Sequence, residues 1–242
     1  MFEELRERAF RANMELWRRG VVIYTWGNVS EADRAAGVFA IKPSGVPYES
    51  LRAEDMVIVS IADGSRVDGA LNPSSDTPTH AALYRAFPAI GGITHTHSPF
   101  ATAWAQAGKS IPCLGTTHAD AFRGDIPVTR YVTKEEAERA YEAETATVIE
   151  EAFFGRNPMH TPGVLVRGHG PFAWGENAEK SVYNAVVLEE IAKIAQATYA
   201  IRPQAPVLPA ALQDKHFFRR SEERRVGKEC RIGCRSRWSP YH

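Results

Sequence analysis

Two histidines, His95 and His97, stand one residue apart in Gly92-Ile93-Thr94-His95-Thr96-His97-Ser98. In an extended strand successive side chains alternate faces, so positions i and i+2 project the same way. Two imidazoles on one face make half of a tetrahedral divalent-metal site, for which Zn2+ is the default ion. The same pattern also describes a pair of hydrogen-bonded or exposed strand histidines, and the pair alone leaves both readings open. A third histidine, His169, lies in Arg167-Gly168-His169-Gly170-Pro171, where flanking glycines let backbone and ligand approach closely. Asp76, in the turn-rich Pro73-Ser74-Ser75-Asp76-Thr77-Pro78, supplies a carboxylate that can fold back onto the same place.

Four loops carry the groups a phosphate needs: Gly27-Asn28, Lys42-Pro43-Ser44-Gly45, Ser74-Ser75 and Gly115-Thr116-Thr117. Lysine brings a point charge, serine and asparagine donate hydrogen bonds, and glycine exposes backbone N–H groups to an anion. Each loop alone is ordinary turn chemistry. Their coexistence with a possible metal site is what suggests an anionic ligand. Asp120, in Thr117-His118-Ala119-Asp120, is a possible acid/base carboxylate, although spacing alone favours a loop or cap role. Glu142 falls on a helix, where a solvated face is expected. His80, His118 and His160 have no partner visible in the sequence and read as structural or surface residues.

These groups need elements to hold them. Residues 2–19 have the stripe of an amphipathic helix, with Leu5, Phe10, Met14 and Trp17 near one face and Gly20 as terminator. Val21–Tyr24, Val38–Ile41 and Met56–Ile61 read as strands, with a Gly-Asn turn after the first and Asp63-Gly64 turning the third. Thr79 opens a short helix to Phe87, residues 92–96 form the histidine strand, and another helix follows Pro99. Thr133-Lys134-Glu135-Glu136 is a capping box that starts a helix running to about Ala152. Val164–Val166 and Phe172–Trp174 read as strands, and Glu179 to about Tyr199 is the longest helix. A proline-rich connector, 203–209, precedes a last short element. Strands alternating with helices, with hairpins among the strands, imply one mixed α/β layered domain over 1–219.

The composition is that of a globular protein, 44% hydrophobic and 24% charged over 242 residues. No apolar run is long enough to cross a bilayer, and the start has no signal-like core, which predicts a cytoplasmic protein. The formal charge of zero hides an asymmetry, for residues 1–219 carry 22 basic against 26 acidic side chains. A mildly acidic body excludes a general nucleic-acid footprint. The basic segment 220–242 has no helical or strand periodicity and reads as a translated sequencing-library adapter, a foreign and disordered tail. Its Cys230 and Cys234 are therefore not taken as metal ligands, which leaves Cys113 alone in the body.

Several segments together carry a family resemblance. Thr25-Trp26-Gly27-Asn28-Val29-Ser30, Ile41-Lys42-Pro43-Ser44-Gly45-Val46, Pro73-Ser74-Ser75-Asp76-Thr77-Pro78-Thr79-His80 and Gly115-Thr116-Thr117-His118-Ala119-Asp120 resemble the sugar-phosphate 4-epimerase branch of the class II aldolase/epimerase family. So do His95-Thr96-His97-Ser98, Pro162–Val166 and Gly170-Pro171-Phe172-Ala173-Trp174-Gly175. The resemblance implies an α/β/α sandwich around a mainly antiparallel sheet, assembled as a homotetramer with sites between subunits. It implies one Zn2+ per subunit on His95, His97 and His169, with Asp76 beside or on the metal. Gly27, Asn28, Lys42, Ser44, Gly45, Ser74 and Ser75 are implied to hold the sugar phosphate, and Asp120 to be one catalytic acid/base. His216 and Arg219 match residues that reach a neighbouring subunit's site.

The implied reaction converts L-ribulose 5-phosphate to D-xylulose 5-phosphate, in L-arabinose catabolism, by retro-aldol cleavage and re-addition at C3–C4. Inversion needs a proton carrier on each face of the aldehyde, and hence two groups. In the epimerases the second is a tyrosine shortly beyond the position of Arg219, where this chain has the adapter-like sequence. Tyr241 lies far beyond that position, so the chain as written is expected to be impaired. Two rival readings remain, a fuculose- or rhamnulose-phosphate aldolase on the same fold and a non-catalytic adducin-type module. Asp76, where such aldolases typically have glutamate, favours the epimerase. Retention of three histidines and the phosphate loops disfavours the adducin-type module.

Overall fold

The computed structural model describes residues 2–219. Helix α1 (Glu3–Arg18) leads into strands β1 (Asn28–Asp33), β2 (Val38–Ile41), β3 (Val57–Ser60) and β4 (Arg66–Asp68). Then follow α2 (Thr77–Ala86), β5 (Gly92–His95), α3 (Pro99–Ala107), the one-turn α4 (Thr116–Ala119) and α5 (Lys134–Ala152). Strands β6 (Gly163–Leu165) and β7 (Pro171–Gly175), helix α6 (Ala178–Ile201) and a helix over 210–219 complete the described chain. The strands form one sheet in the order β4-β3-β2-β1-β5-β7-β6, with every neighbouring pair antiparallel.

The period of two along each strand sorts the side chains between two cores. Phe39, Ile41, Val57, Val59, Ile93, Phe172 and Trp174 turn to the side covered by α2 and α5. Val38, Ala40, Ile58, Val29 and Ala173 turn to the side covered by α1 and α6. A third cluster seats α3 against α6 through Ala101, Ala105, Leu188 and Ile191. Helices on both faces of a mainly antiparallel sheet are the α/β/α sandwich expected from the sequence.

Three local expectations need correction. Val21–Tyr24 is not a strand, for Tyr24 sits at φ 53° and Trp26 N–H closes a turn onto the Ile23 carbonyl. The run is apolar because Val22 packs into the α1 core. Strand pairing starts only where Asn28 meets His95, so Asn28–Ser30 belongs to β1 rather than to a turn. The expected loop at 116–119 is α4. The capping box at Thr133 and Glu136 is present, and the Arg130 guanidinium reaches both Glu136 and Glu151. Helix α5 is broken by one non-helical residue, Ala140, just before Tyr141.

Two buried carboxylates fix the helices that flank the histidine strand. Glu31, on β1, accepts from the backbone N–H of Ala178 at the start of α6 and pairs with Arg8 at 3.1 Å. Glu189, on α6, accepts from Phe100 N–H at 2.9 Å and Ala101 N–H at 2.8 Å, which satisfies two unpaired donors at the start of α3. Since α3 begins two residues after His97, this contact also pins the exit of the histidine segment. Glu189→Ala should lower the unfolding free energy by about 2–3 kcal/mol, because two buried N–H groups lose a charged acceptor. Urea denaturation monitored by far-UV dichroism measures this, and an unchanged midpoint would contradict it.

Candidate metal centre

His95 is the last residue of β5, and its neighbours across the sheet are Asn28 on β1 and Phe172 on β7. Its ring stacks on Phe172, with centroids 4.2 Å apart and planes at 20°. His95 Nδ1 lies 3.0 Å from the Pro171 carbonyl, and this contact leaves Nε2 to face His97. His97 lies two residues beyond the end of β5, where the pairing runs on through the Thr96 N–H to the Pro171 carbonyl at 3.3 Å. The two side chains point the same way, as positions i and i+2 of an extended chain do, and their Nε2 atoms converge to 3.1 Å. His169 comes from the turn between β6 and β7, with ring centroids 4.7 Å from His95 and 5.0 Å from His97. Gly170 makes this turn possible, since a Cβ there would stand 2.7 Å from the Thr96 carbonyl oxygen.

One ligand atom from each of the three imidazoles lies within 4.8 Å of the others. Nitrogens about 2.0–2.1 Å from a tetrahedral centre would be about 3.3 Å apart, close to the His95–His97 separation. Neutral imidazole is the form that binds a metal. Burial pushes the pKa of His97 down, with His95 adding to the effect. Burial and the two neighbouring histidines push His169 down to about 3. The donor set therefore fits a divalent ion of the zinc type, with an outer contact to Pro171 that orients His95. Tyr141 Oη, 3.4 Å from His169 Nδ1, stands in the same position toward the third ring.

The three rings open into a cavity of about 500 Å3. It is also lined by Gly27, Asn28, Lys42, Ser44, Gly45, Ser74, Ser75 and Asp76, eight of the residues singled out in the sequence. Asp76 sits at the start of α2 and accepts from Asn28 Nδ2 at 2.7 Å. Burial works to raise its pKa, but His95, His80 and the Asn28 hydrogen bond together hold it below the ordinary carboxylate value. Asn28 also donates to Ser74 Oγ at 3.1 Å, joining two loops. The Lys42 loop is tied to the Ser74 loop by Ser74 N–H to the Lys42 carbonyl and by a bridge between Pro43 and Pro73. Gly27 is at φ 88°, and a Cβ there would meet both the His95 carbonyl oxygen and Val22 at 2.8 Å. Only glycine lets this loop lie against the histidine strand.

Lys42 is buried, its ammonium donating to the Val46 carbonyl at 2.6 Å and lying 4.8 Å from the Tyr48 ring centroid. Burial lowers its pKa to about 8. The sequence reading missed Tyr141 and treated Glu142 as solvated, yet both line the cavity. The break at Ala140 immediately precedes them, and nothing in the helical periodicity of α5 announces it. Asp120, His216 and Arg219 do not line the cavity. They form a separate cluster, with His216 Nδ1 3.0 Å and Arg219 3.8 Å from Asp120 Oδ1. His118 and His80 are buried, and His160 packs on Phe217, as structural histidines would.

The family model described as Class II Aldolase and Adducin N-terminal domain matches residues 7–196. An L-fuculose 1-phosphate aldolase is 25% identical with a TM-score of 0.70, covering 88% of this chain and 94% of its own. YgbL from Klebsiella pneumoniae, a candidate aldolase/epimerase/decarboxylase, is 25% identical with a TM-score of 0.70, covering 89% and 99%. An aldolase II superfamily protein from Pseudomonas syringae shares the fold at 17% identity and a TM-score of 0.69, covering 97% and 94%.

The donor geometry leads to a direct expectation. Protein loaded with zinc and then desalted should carry about one ion per chain, and His95→Ala should lower this to near zero while the chain stays folded. Elemental analysis beside circular dichroism reads both. Full retention by the folded variant would contradict a site built on these three rings.

Proposed function

The chain belongs to the class II aldolase and adducin family, and we propose that it is a metal-dependent sugar-phosphate 4-epimerase converting L-ribulose 5-phosphate to D-xylulose 5-phosphate. The observation that carries this reading is one cavity joining three converging imidazoles, an Asp76 carboxylate held below its ordinary pKa and the serine- and glycine-bearing loops at 27–28, 42–45 and 74–75. Such a cavity has a place for a cation at one side and an anion at the other. The Zn2+ that His95, His97 and His169 would hold supplies Lewis-acid polarisation of the ketose carbonyl and the adjacent hydroxyl oxygen.

The chain's own residues supply the rest. Ser44, Ser74 and Ser75 offer hydroxyls and Gly45 and Ser75 backbone N–H groups to the phosphate, with Lys42 adding positive charge. Gripping the phosphate keeps the reacting fragments in one cavity between bond cleavage and re-formation. Asp76, fixed by Asn28, keeps negative charge beside the cation site. Asp120 is the carboxylate that carries a proton at the C4 oxygen, and His216 and Arg219 orient it. Since that cluster stands apart from the metal cavity in its own subunit, it is assigned to a neighbour's cavity in a homotetramer. The protein is placed in the cytoplasm, in L-arabinose catabolism.

The second proton carrier is the unfilled role. The adapter-like segment 220–242, outside the described residues, stands where a C-terminal tyrosine is required. Cleavage and inversion therefore separate in this chain, with inversion the weaker. The alternative reading, cleavage of a sugar 1-phosphate, is favoured by the 25% identity to an L-fuculose 1-phosphate aldolase. An adducin-type scaffold would bind no metal.

Zinc-loaded protein should form D-xylulose 5-phosphate from L-ribulose 5-phosphate slowly, and faster once the tail is replaced by one with a tyrosine shortly after Arg219. Equal rates for the two tails would contradict the role given to the tail. Production of dihydroxyacetone phosphate from L-fuculose 1-phosphate instead would select the aldolase, and no turnover of either substrate would remove both readings. Shared sites predict a further result. His95→Ala and Asp120→Asn chains, each inactive alone, should recover activity when dissociated and reassembled together. A mixture as inactive as its parts would place Asp120 outside the neighbour's site.

A further inference from the structure

Tyr141 lines the metal cavity, and the reaction above gives it no part. It follows Ala140, whose φ of −170° and ψ of 75° break helix α5. Residues 137–141, up to and at the break, are exposed, whereas Thr145, Ala146, Val148 and Ile149 beyond it are buried. The backbone just past the break is held by Thr79 Oγ1, which donates to the Glu142 carbonyl at 2.5 Å. Thr79 stands three residues after Asp76 on α2, so the helix that begins at Asp76 also fixes where Tyr141 leaves the backbone.

The ring fills no part of the core, for Tyr141 is 38% exposed. It lies against His169, with centroids 6.0 Å apart and planes at 44°. A phenylalanine would make that ring contact equally well, so the hydroxyl needs another reason. Its oxygen is 3.4 Å from His169 Nδ1, beyond the usual hydrogen-bond range of about 2.7–3.2 Å. The contact orients the hydroxyl without engaging it fully. A neutral imidazole has one N–H and one bare nitrogen. Since Nδ1 faces Tyr141, Nε2 is the nitrogen left for an ion, and the ring proton then sits on Nδ1. Tyr141 Oη accepts from that N–H and keeps its own O–H to donate into the cavity. A donor beside His169 stands at the cation side, where the carbon chain of a ketose phosphate would lie and its phosphate would not.

We propose that Tyr141 is a substrate-binding residue whose hydroxyl, held by His169, donates a hydrogen bond to an oxygen on the carbon chain of the bound sugar phosphate. The inference rests on the reading that the cavity takes a sugar phosphate beside a divalent ion. It gives Tyr141 no proton to transfer.

The test uses zinc-loaded, full-length protein and two ligands that do not react. L-Arabinitol 5-phosphate, the polyol obtained by reducing the carbonyl of L-ribulose 5-phosphate, carries both the hydroxyl chain and the phosphate. Inorganic phosphate carries the anion alone. Titration calorimetry measures both on the parent and on Tyr141→Phe, with zinc content measured alongside. Tyr141→Phe should keep its zinc, bind the polyol phosphate about 3- to 10-fold more weakly and bind inorganic phosphate as the parent does. The inference is overturned if Tyr141→Phe binds the polyol phosphate like the parent, or if it loses affinity for inorganic phosphate to the same extent. Loss of zinc from Tyr141→Phe would make the hydroxyl a support of His169 alone and overturns it too. A parent that binds no polyol phosphate overturns it together with the sugar-phosphate reading. A parent that binds the polyol phosphate but does not turn over L-ribulose 5-phosphate removes the proposed reaction alone, and weaker binding by Tyr141→Phe still supports the inference.

Discussion

The alignment of Asn28, His95 and Phe172 across β1, β5 and β7 is the constraint on which the site depends. Because side chains at one level of a sheet share a face, these three must point together. Asn28 then reaches the start of α2 and holds Asp76, His95 presents Nε2 to the cavity, and Phe172 supplies a flat support for the imidazole. A slip of one residue by any one of these strands would send its member of the trio to the opposite face, under α1 and α6. The rest of the fold acts to protect this register. Glu31 and Glu189 tie the flanking helices to the backbone, and Gly27 lets a loop lie directly against the His95 carbonyl.

Much of the site was legible in the sequence because the chemistry depends on residue types that sequence displays directly. His95, His97, His169, Asp76 and three of the four phosphate-type loops line one cavity, whereas Gly115-Thr116-Thr117 lies outside it. The i, i+2 argument that first joined His95 and His97 applies although His97 lies past the strand end, for the two Nε2 atoms converge. The fold was legible for a similar reason, for strands with period two and capped helices announce themselves locally. Val21–Tyr24 misled because an apolar run records burial and not pairing. Tyr141 was missed and Glu142 read as solvated because both follow a backbone break at Ala140, to which local propensity gives no clue.

The described chain separates two kinds of function in space. The three histidines, Asp76 and the serine and glycine loops at 27–28, 42–45 and 74–75 line one cavity, whereas Asp120, His216 and Arg219 form a charged cluster elsewhere. A cation-polarised cavity can hold a sugar phosphate and loosen a bond. Proton carriers placed on either side of the aldehyde decide whether cleavage ends in release or inversion. Family membership at the level of the fold is compatible with both outcomes, and the choice between them falls to the residues that approach the cavity from outside it.

The central claim is that the face shared by β1, β5 and β7 builds a divalent-metal site. Crystals of zinc-loaded protein, measured at the zinc absorption edge, test it most directly. The account predicts an anomalous peak about 2.0–2.1 Å from one nitrogen each of His95, His97 and His169, inside the cavity that holds Asp76. A zinc peak elsewhere, or the three imidazoles hydrogen-bonded to one another with no peak between them, would contradict it.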